Sequence, residues 1–326
     1  MLISKTPLRV SFFGGGTDFP EYFNRKKTTR VIGTAINKYI YVFQNRFYSN
    51  FFNHNLRIFY KNNEFVKKIK DIKHQVFRQV LQDENINKDI EIHVSSEMPS
   101  FIGLGTSSSF TVGLINLINN FKYKNNLHPK ILANKALFLE RIRLKENVGY
   151  QDQILSAYGG FNCIELSKDG YKVNKISTKF SINKFSQKLY LIYTGIKRRA
   201  EKIEKKKISK LNANLSYLDT ISDIANEAYK CFVNSNNTDF FGKLLNETWV
   251  QKKKLHSQVS NNVIDNIYEK AIDAGASGGK LLGAGAGGFI LFYVEDNKKN
   301  KFLRAFNNKQ YIKFDFENFG SKILRI

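Results

Sequence analysis

The chain has 326 residues, 42% hydrophobic and 25% charged, with 52 basic against 28 acidic side chains and a formal charge of +24. These fractions exclude a disordered or collagen-like chain, and the length exceeds what one hydrophobic core usually serves, so two domains are expected. Two cysteines, Cys163 and Cys231, exclude a disulfide framework and a CxxC redox pair, and five histidines without metal-ligand spacing argue against a zinc site.

The stretch from Met98 to Phe121 carries no charge and has the length of a membrane span, but its serines, glycines and asparagines are too polar for hydrocarbon. Patterned sequence from Lys5 onward gives no sign of a signal peptide, so a cytoplasmic protein without a membrane partner is expected. The positive charge invites nucleic acid as a partner. Against that, the lysines are scattered among 35 asparagines, and only 197-KRRAEKIEKKKISK-210 is a true cluster. No interleaving of aromatic and basic residues of the RNP type accompanies it, and nucleic-acid binding is the lesser reading.

In chain order, 8-LRVSFF-13 alternates, with Leu8, Val10 and Phe12 on one face and Arg9 and Ser11 on the other. It reads as a strand ended by Gly14, Gly15 and Gly16. A second strand, 90-IEIHV-94, leads to a glycine loop. After it, Phe110, Leu114, Leu117, Ile118 and Phe121 recur as one apolar stripe of a helix. Residues 130–146 read as helix, followed by a loop carrying 149-GYQDQ-153. The strand 189-LYLIYT-194 opens the second half, and three helical stretches follow. Glycine-rich 275–288 feeds the strand 289-FILFYV-294, with further strands near 310–316 and 321–326. The class is α+β in two lobes, 1–180 and 181–326.

The segment 99-PSFIGLGTSSSF-110 joins a strand to a helix through small residues. Glycines let backbone approach a bulky anion, and the first-turn N–H groups and helix dipole favour negative charge there. Hydroxyls at Thr106, Ser107 and Ser108 suit phosphate oxygens or hydrated Mg²⁺. A plain serine cap needs one hydroxyl rather than a run of them. The segment is neither a GxxxxGK[ST] loop nor a GxSxG elbow. A GxGxxG match at Gly283, Gly285 and Gly288 lies between a helix and a following strand, the reverse of a dinucleotide fold. It is either a tight turn or a support for the first glycine loop. Arg9, Asp18, Glu21, Glu140 and Asp152, at strand ends and glycine-bounded loops, are the polar residues to follow.

Three segments in order, 5-KTPLRVSFFGGGTDFPEY-22, 99-PSFIGLGTSSS-109 and 280-KLLGAGAGGFILF-292, resemble the three motifs of the GHMP small-molecule kinases. The resemblance implies an amino-terminal domain with a left-handed βαβ unit, a ferredoxin-like carboxy-terminal domain and an active site between them. By position it implies that Gly103, Leu104, Gly105, Thr106, Ser107 and Ser108 wrap the ATP phosphates, and that Ser107 and Glu140 bind Mg²⁺. Asp152 matches the proposed general base, whether true base or orienter, and Arg9 the basic residue that steadies it. Gly15, Gly16, Thr17 and Asp18 fall where the acceptor binds, and Gly283, Gly285, Gly287 and Gly288 form the third motif. Ala286 stands where glycine is common, at little cost unless that residue needs a positive φ.

The variant GGGTDFPEY, with 33-GTAINKYIYV-42, is similar to a narrower branch, the D-glycero-D-manno-heptose 7-phosphate kinases, with fucokinase-like relatives nearby. That branch implies phosphorylation of the anomeric hydroxyl to the 1,7-bisphosphate, toward GDP-activated heptose for surface polysaccharide. The alternative is another sugar acceptor such as fucose. A phosphorylated acceptor needs a second anion site, and Lys197, Arg198 and Arg199 are either that clamp or a solvated helix start. The oligomeric state is left open.

Overall fold

The computed structural model describes residues 1–26, 28–197, 211–306 and 311–326. The chain opens with β1 (Leu2–Phe13), α1 (Pro20–Phe23) and an 18-residue strand, β2 (Thr29–Arg46), rich in β-branched and aromatic residues. β2 is antiparallel to β1 along its length. Pro7, which has no N–H to donate, sits where that register slips. On its other side β2 divides its partners. Residues 29–34 pair with β6 (Phe161–Ser167), which carries β7 (Gly170–Lys175), and residues 40–46 pair with β5 (Ile90–Ser96). β3 (Leu56–Phe59) runs parallel to β5 after a crossover through β4 (Asn63–Val66) and α2 (Gln75–Asp83), the βαβ element of an otherwise antiparallel sheet. The carboxy-terminal strand β12 (Lys322–Arg325) returns to the free edge of β1.

Over this sheet lie α3 (Thr106–Tyr123), α4 (Pro129–Leu137) and α5 (Gln151–Tyr158). The sequence pattern gives α3 a single buried stripe, but the helix is buried nearly all round, because sheet, neighbouring helices and β12 enclose it. Its buried asparagines donate to neighbouring segments: Asn116 to Ser321, and Asn119 and Asn120 to Asn125.

After α6 (Ile182–Gln187) the chain enters a second sheet at β8 (Leu189–Tyr193). It continues through α7 (Leu215–Asn234), α8 (Phe240–Lys254), α9 (Asn262–Asp273), β9 (Ala276–Leu281), β10 (Phe289–Val294), α10 (Lys299–Ala305) and β11 (Tyr311–Ile312). The antiparallel order β11-β8-β10-β9 is the 4-1-3-2 arrangement of a ferredoxin-like domain. One apolar cluster spans both sheets: Leu8, Val10, Phe12 and Phe13 of β1 pack with Leu191, Phe241, Phe289 and Leu291. Phe12 meets Phe241 edge to face at 5.4 Å. A shared core of buried aromatics, each contributing about 1.5–3 kcal/mol by burial, fixes the lobes against each other and so fixes the cleft between them.

Candidate active site

Several segments converge on one cavity of about 720 Å³, among them one face of β1, the Gly15–Gly16 turn, residues 73–76, the loop before α3 with the start of that helix, the 144–149 loop, the start of α5, the end of α8 and the glycine loop after β9. Among the described residues, Arg9, Lys73, Lys252 and Lys280 line it against two acids, Glu146 and Asp152, so its balance favours an anionic ligand.

Arg9 is almost wholly buried. Its Nε donates to Asp152 Oδ1 at 2.8 Å and its Nη2 to Asp152 Oδ2 at 2.6 Å, while Nη1 donates to the Gly103 carbonyl at 2.7 Å. One guanidinium therefore holds both the carboxylate and the glycine loop. Asp152 lies in the first turn of α5, and its side chain keeps 24% exposure toward the cavity. Each of its oxygens retains lone-pair capacity beyond the arginine bond.

Behind the first turn of α3, Ser108 Oγ donates to Glu140 Oε2 at 3.0 Å, and the Gln153 amide donates to both. Glu140 belongs to a π-turn, Phe138–Arg143, that continues α4. The wider turn departs from the 3.6-residue spacing, so sequence periodicity places residue 140 on a helix without giving its direction. Burial pushes the Glu140 carboxyl up to about 7, against donors from Thr111, Gln153 and Ser108, and Oε1 has no hydrogen-bond partner. The sequence pairs Ser107 with Glu140. In the structure Ser107 is exposed at the cavity, and the hydroxyl on Glu140 is that of Ser108, one residue further round the helix.

Gly105, the residue before α3, has no side chain to cap the helix, which leaves its first-turn N–H groups to the cavity. The two glycine motifs abut: a Cβ on Gly103 would lie 2.6 Å from the Leu282 carbonyl, and one on Gly283 would lie 2.7 Å from Gly103 Cα. Phe289 N–H bonds the Ile102 carbonyl at 3.0 Å, and Lys252 Nζ bridges the carbonyls of Leu281 and Gly283 at 2.7 and 2.6 Å. The third motif is both a turn and a support for the first loop: it closes the β9–β10 hairpin, so a strand precedes it in place of the expected helix. Ala286 has φ of 64°, so the departure from glycine does fall on a left-handed residue.

Lys280 escapes the sequence reading as an individual site residue. It is 3% exposed, and its Nζ crosses between the lobes to the Phe12 carbonyl at 2.6 Å. Burial, then repulsion from Arg9, pushes its pKa down to about 7 against attraction from Asp18. The available signal is that Lys280 is the sole charge between Asp273 and Glu295. A lone cation in an apolar, glycine-rich strand needs a buried partner.

Other expected residues stand elsewhere. Gly15 and Gly16 line the cavity, whereas Thr17 and Asp18 are wholly buried behind its wall. Thr17 Oγ1 donates to the Gly14 carbonyl at 2.8 Å, and Asp18 accepts from the backbones of Gly16 at 3.0 Å and Gln151 at 3.2 Å. Asp18 thus staples the glycine turn to the start of α5. Glu21 pairs with Arg141 near the surface at 3.0 Å. Lys197 is exposed, and Arg198 and Arg199 lie outside the described residues.

Residues 66–160 match the GHMP kinases N terminal domain and residues 228–313 the GHMP kinases C terminal domain. A D-glycero-alpha-D-manno-heptose 7-phosphate kinase of Campylobacter jejuni is 31% identical over 99% of this chain and 98% of its own. The chain belongs to the GHMP kinases. A crystal structure of a D-glycero-D-manno-heptose 1-phosphate kinase from Bacteroides thetaiotaomicron shares the fold, with TM-score 0.80 and 23% identity over 100% of this chain and 99% of that one. A putative sugar kinase from Campylobacter jejuni superposes with TM-score 0.73 and 27% identity, covering 100% and 98%. This GHMP kinase is therefore a sugar kinase of a family that uses ATP as phosphate donor. Among the described residues, no helix is long and apolar enough to cross a membrane.

Proposed function

We propose that this GHMP kinase transfers the γ-phosphoryl group of ATP to the anomeric hydroxyl of D-glycero-D-manno-heptose 7-phosphate. The product would be the 1,7-bisphosphate, a step toward GDP-activated heptose for surface polysaccharide, made in the cytoplasm where ATP is supplied. What carries this reading is the 31% identity to the Campylobacter jejuni enzyme over nearly the whole of both chains, beyond the nucleotide motifs alone. In this reading 1–180 is the lobe that binds ATP and 181–326 the lobe that closes the site.

Phosphoryl transfer asks chiefly for alignment and charge neutralisation. The glycine loop and the uncapped first turn of α3, from Gly103 to Ser108, would receive the ATP phosphates. Asp152, oriented by two bonds from Arg9, would accept a hydrogen bond from the acceptor hydroxyl and take its proton late. Ser107, exposed at the cavity, and Glu140 remain the proposed Mg²⁺ ligands, with Ser108 beside them: hydroxyls and a carboxylate supply hard oxygens, and the unpartnered Glu140 Oε1 is an orphan that a cation would satisfy. Bound there, the ion would screen phosphate oxygens. Lys197, with Arg198 and Arg199, remains the proposed clamp for the far phosphate.

One second reading has support. A bifunctional fucokinase/GDP-fucose pyrophosphorylase of Arabidopsis thaliana is 27% identical over 72% of this chain, though over only 22% of its own length. Fucose or another sugar would then be the acceptor. ADP release with Mg-ATP across D-glycero-D-manno-heptose 7-phosphate, sedoheptulose 7-phosphate, fucose, galactose and mevalonate separates the two. Saturable turnover with the heptose phosphate alone is the expected result. Turnover with a free sugar instead would overturn the acceptor and leave the sugar kinase standing.

A further inference from the structure

Among the described residues that line the cavity, Ser11, Gln151 and His74 each carry a buried polar atom without a hydrogen bond, and those of Ser11 and Gln151 stand together. Ser11 follows Arg9 by two residues on β1 and so shares its face, and Ser11 Oγ makes no hydrogen bond although the residue is only 6% exposed. Gln151 opens α5 immediately before Asp152, and its Oε1 is likewise buried and unpartnered. Both residues line the cavity. They also face one point: a Cβ built on Gly15 would lie 3.7 Å from Ser11 Oγ and 3.8 and 3.9 Å from the two polar atoms of the Gln151 amide.

Gly15 itself is informative. Its φ lies outside the left-handed range that favours glycine, and a Cβ there would meet its neighbours only at ordinary van der Waals distance. Neither backbone strain nor protein packing therefore explains the missing side chain. What glycine preserves is the space between the two orphaned oxygens. Buried polar atoms are normally paired. Two that face one point in the cavity that Asp152 also lines, with room kept between them, form a site whose partners come from a ligand.

We propose that Ser11 and Gln151 form a hydroxyl-recognition subsite for the acceptor, binding neighbouring hydroxyls of a polyol beside the one that receives the phosphoryl group. The inference rests on the sugar-kinase reading and deepens it. A serine hydroxyl both donates and accepts, and the glutamine Oε1 accepts, so a vicinal diol satisfies both. A methylene in the same place would leave both oxygens unpaired. Sites built to bond a substrate hydroxyl reject analogues that lack it for this reason.

The test uses the full-length enzyme with whichever sugar of the panel it turns over, together with that sugar's mono-deoxy analogues. Ser11→Ala and Gln151→Leu should each raise the acceptor KM about 2- to 12-fold, the measure of one neutral hydrogen bond, with the ATP KM within twofold. At least one deoxy analogue that wild type discriminates against should lose that discrimination in the matching variant. Gly15→Ala should raise the acceptor KM at least about tenfold by filling the space, while its melting temperature stays close to wild type, since its contacts are ordinary. Equal shifts in both KM values, unchanged deoxy discrimination in both variants, or an unaltered acceptor KM for Gly15→Ala would overturn the subsite while leaving the kinase intact. Absence of turnover with every sugar would overturn the sugar-kinase reading and the inference with it.

Discussion

Replacing Lys280 by methionine tests the electrostatics at the base of the cleft. The ammonium is wholly buried, and its pKa is pushed down to about 7 from the usual 10.5, first by burial and then by Arg9. Between those two values the unfolded chain holds a proton that the folded chain has lost, so raising the pH stabilises the fold across that window. Below about pH 7 the folded protein carries the full cost of the buried charge. A shift of this size corresponds to several kcal/mol, about 1.4 kcal/mol for each unit. Methionine keeps the length and does not titrate, but it leaves the Phe12 carbonyl without its donor, which costs about 1–3 kcal/mol at every pH. The variant's stability relative to wild type should therefore be most favourable at pH 6 and decline by several kcal/mol toward pH 10. Urea unfolding of both proteins at pH 6, 8 and 10, followed by circular dichroism, measures that difference, in which all other titrations cancel. A difference constant to within about 1 kcal/mol over the whole range would refute the reasoning, because the constant loss of one hydrogen bond would then be the entire effect.

Asp152→Asn should lower kcat about 10²–10⁴-fold, the range for loss of a general base, and near wild-type turnover would remove that role. Glu140→Gln should raise the Mg²⁺ concentration for half-maximal turnover about tenfold or more. Its melting temperature at pH 8 should hold or rise, since a neutral amide escapes the burial that pushes the carboxyl up to about 7. An unchanged Mg²⁺ requirement would exclude Glu140 as a ligand. Asp18→Ala should cost about 1–3 kcal/mol of stability in chemical denaturation, because the N–H groups of Gly16 and Gln151 lose their acceptor. A raised acceptor KM with stability intact would instead make Asp18 a substrate contact. Gly103→Ala should destabilise by at least about 1–2 kcal/mol, the cost of a left-handed alanine, and should weaken ATP, because its Cβ collides with Leu282; an unaltered ATP KM would argue against that loop as the phosphate site.

The sequence by itself determined the elements whose signals are local. Alternation in 8–13 gives β1, the unbroken apolar run 289–294 after a glycine-rich stretch gives β10, the apolar spacing of 218–232 gives α7, and the glycine and hydroxyl run at 103–108 marks where a strand hands over to a helix above an anion site. Motif order gave the family because backbone approach to phosphate demands glycine at fixed offsets, and such a demand is written in consecutive residues. What only the tertiary structure decided are relations between distant residues. Arg9 and Asp152 are 143 positions apart, and their bidentate bond exists because β1 and α5 pack together. Glu140 is aimed by a π-turn that carries no periodic signature, and so meets Ser108 rather than Ser107. Asp18 reads as a ligand in sequence, yet the fold spends its carboxylate on two backbone N–H groups. Lys280 reaches Phe12 across 268 residues because two sheets share one core. Local physics selects residue type and backbone shape, whereas a side chain's partner is chosen by whichever element the core packing brings within 3 Å.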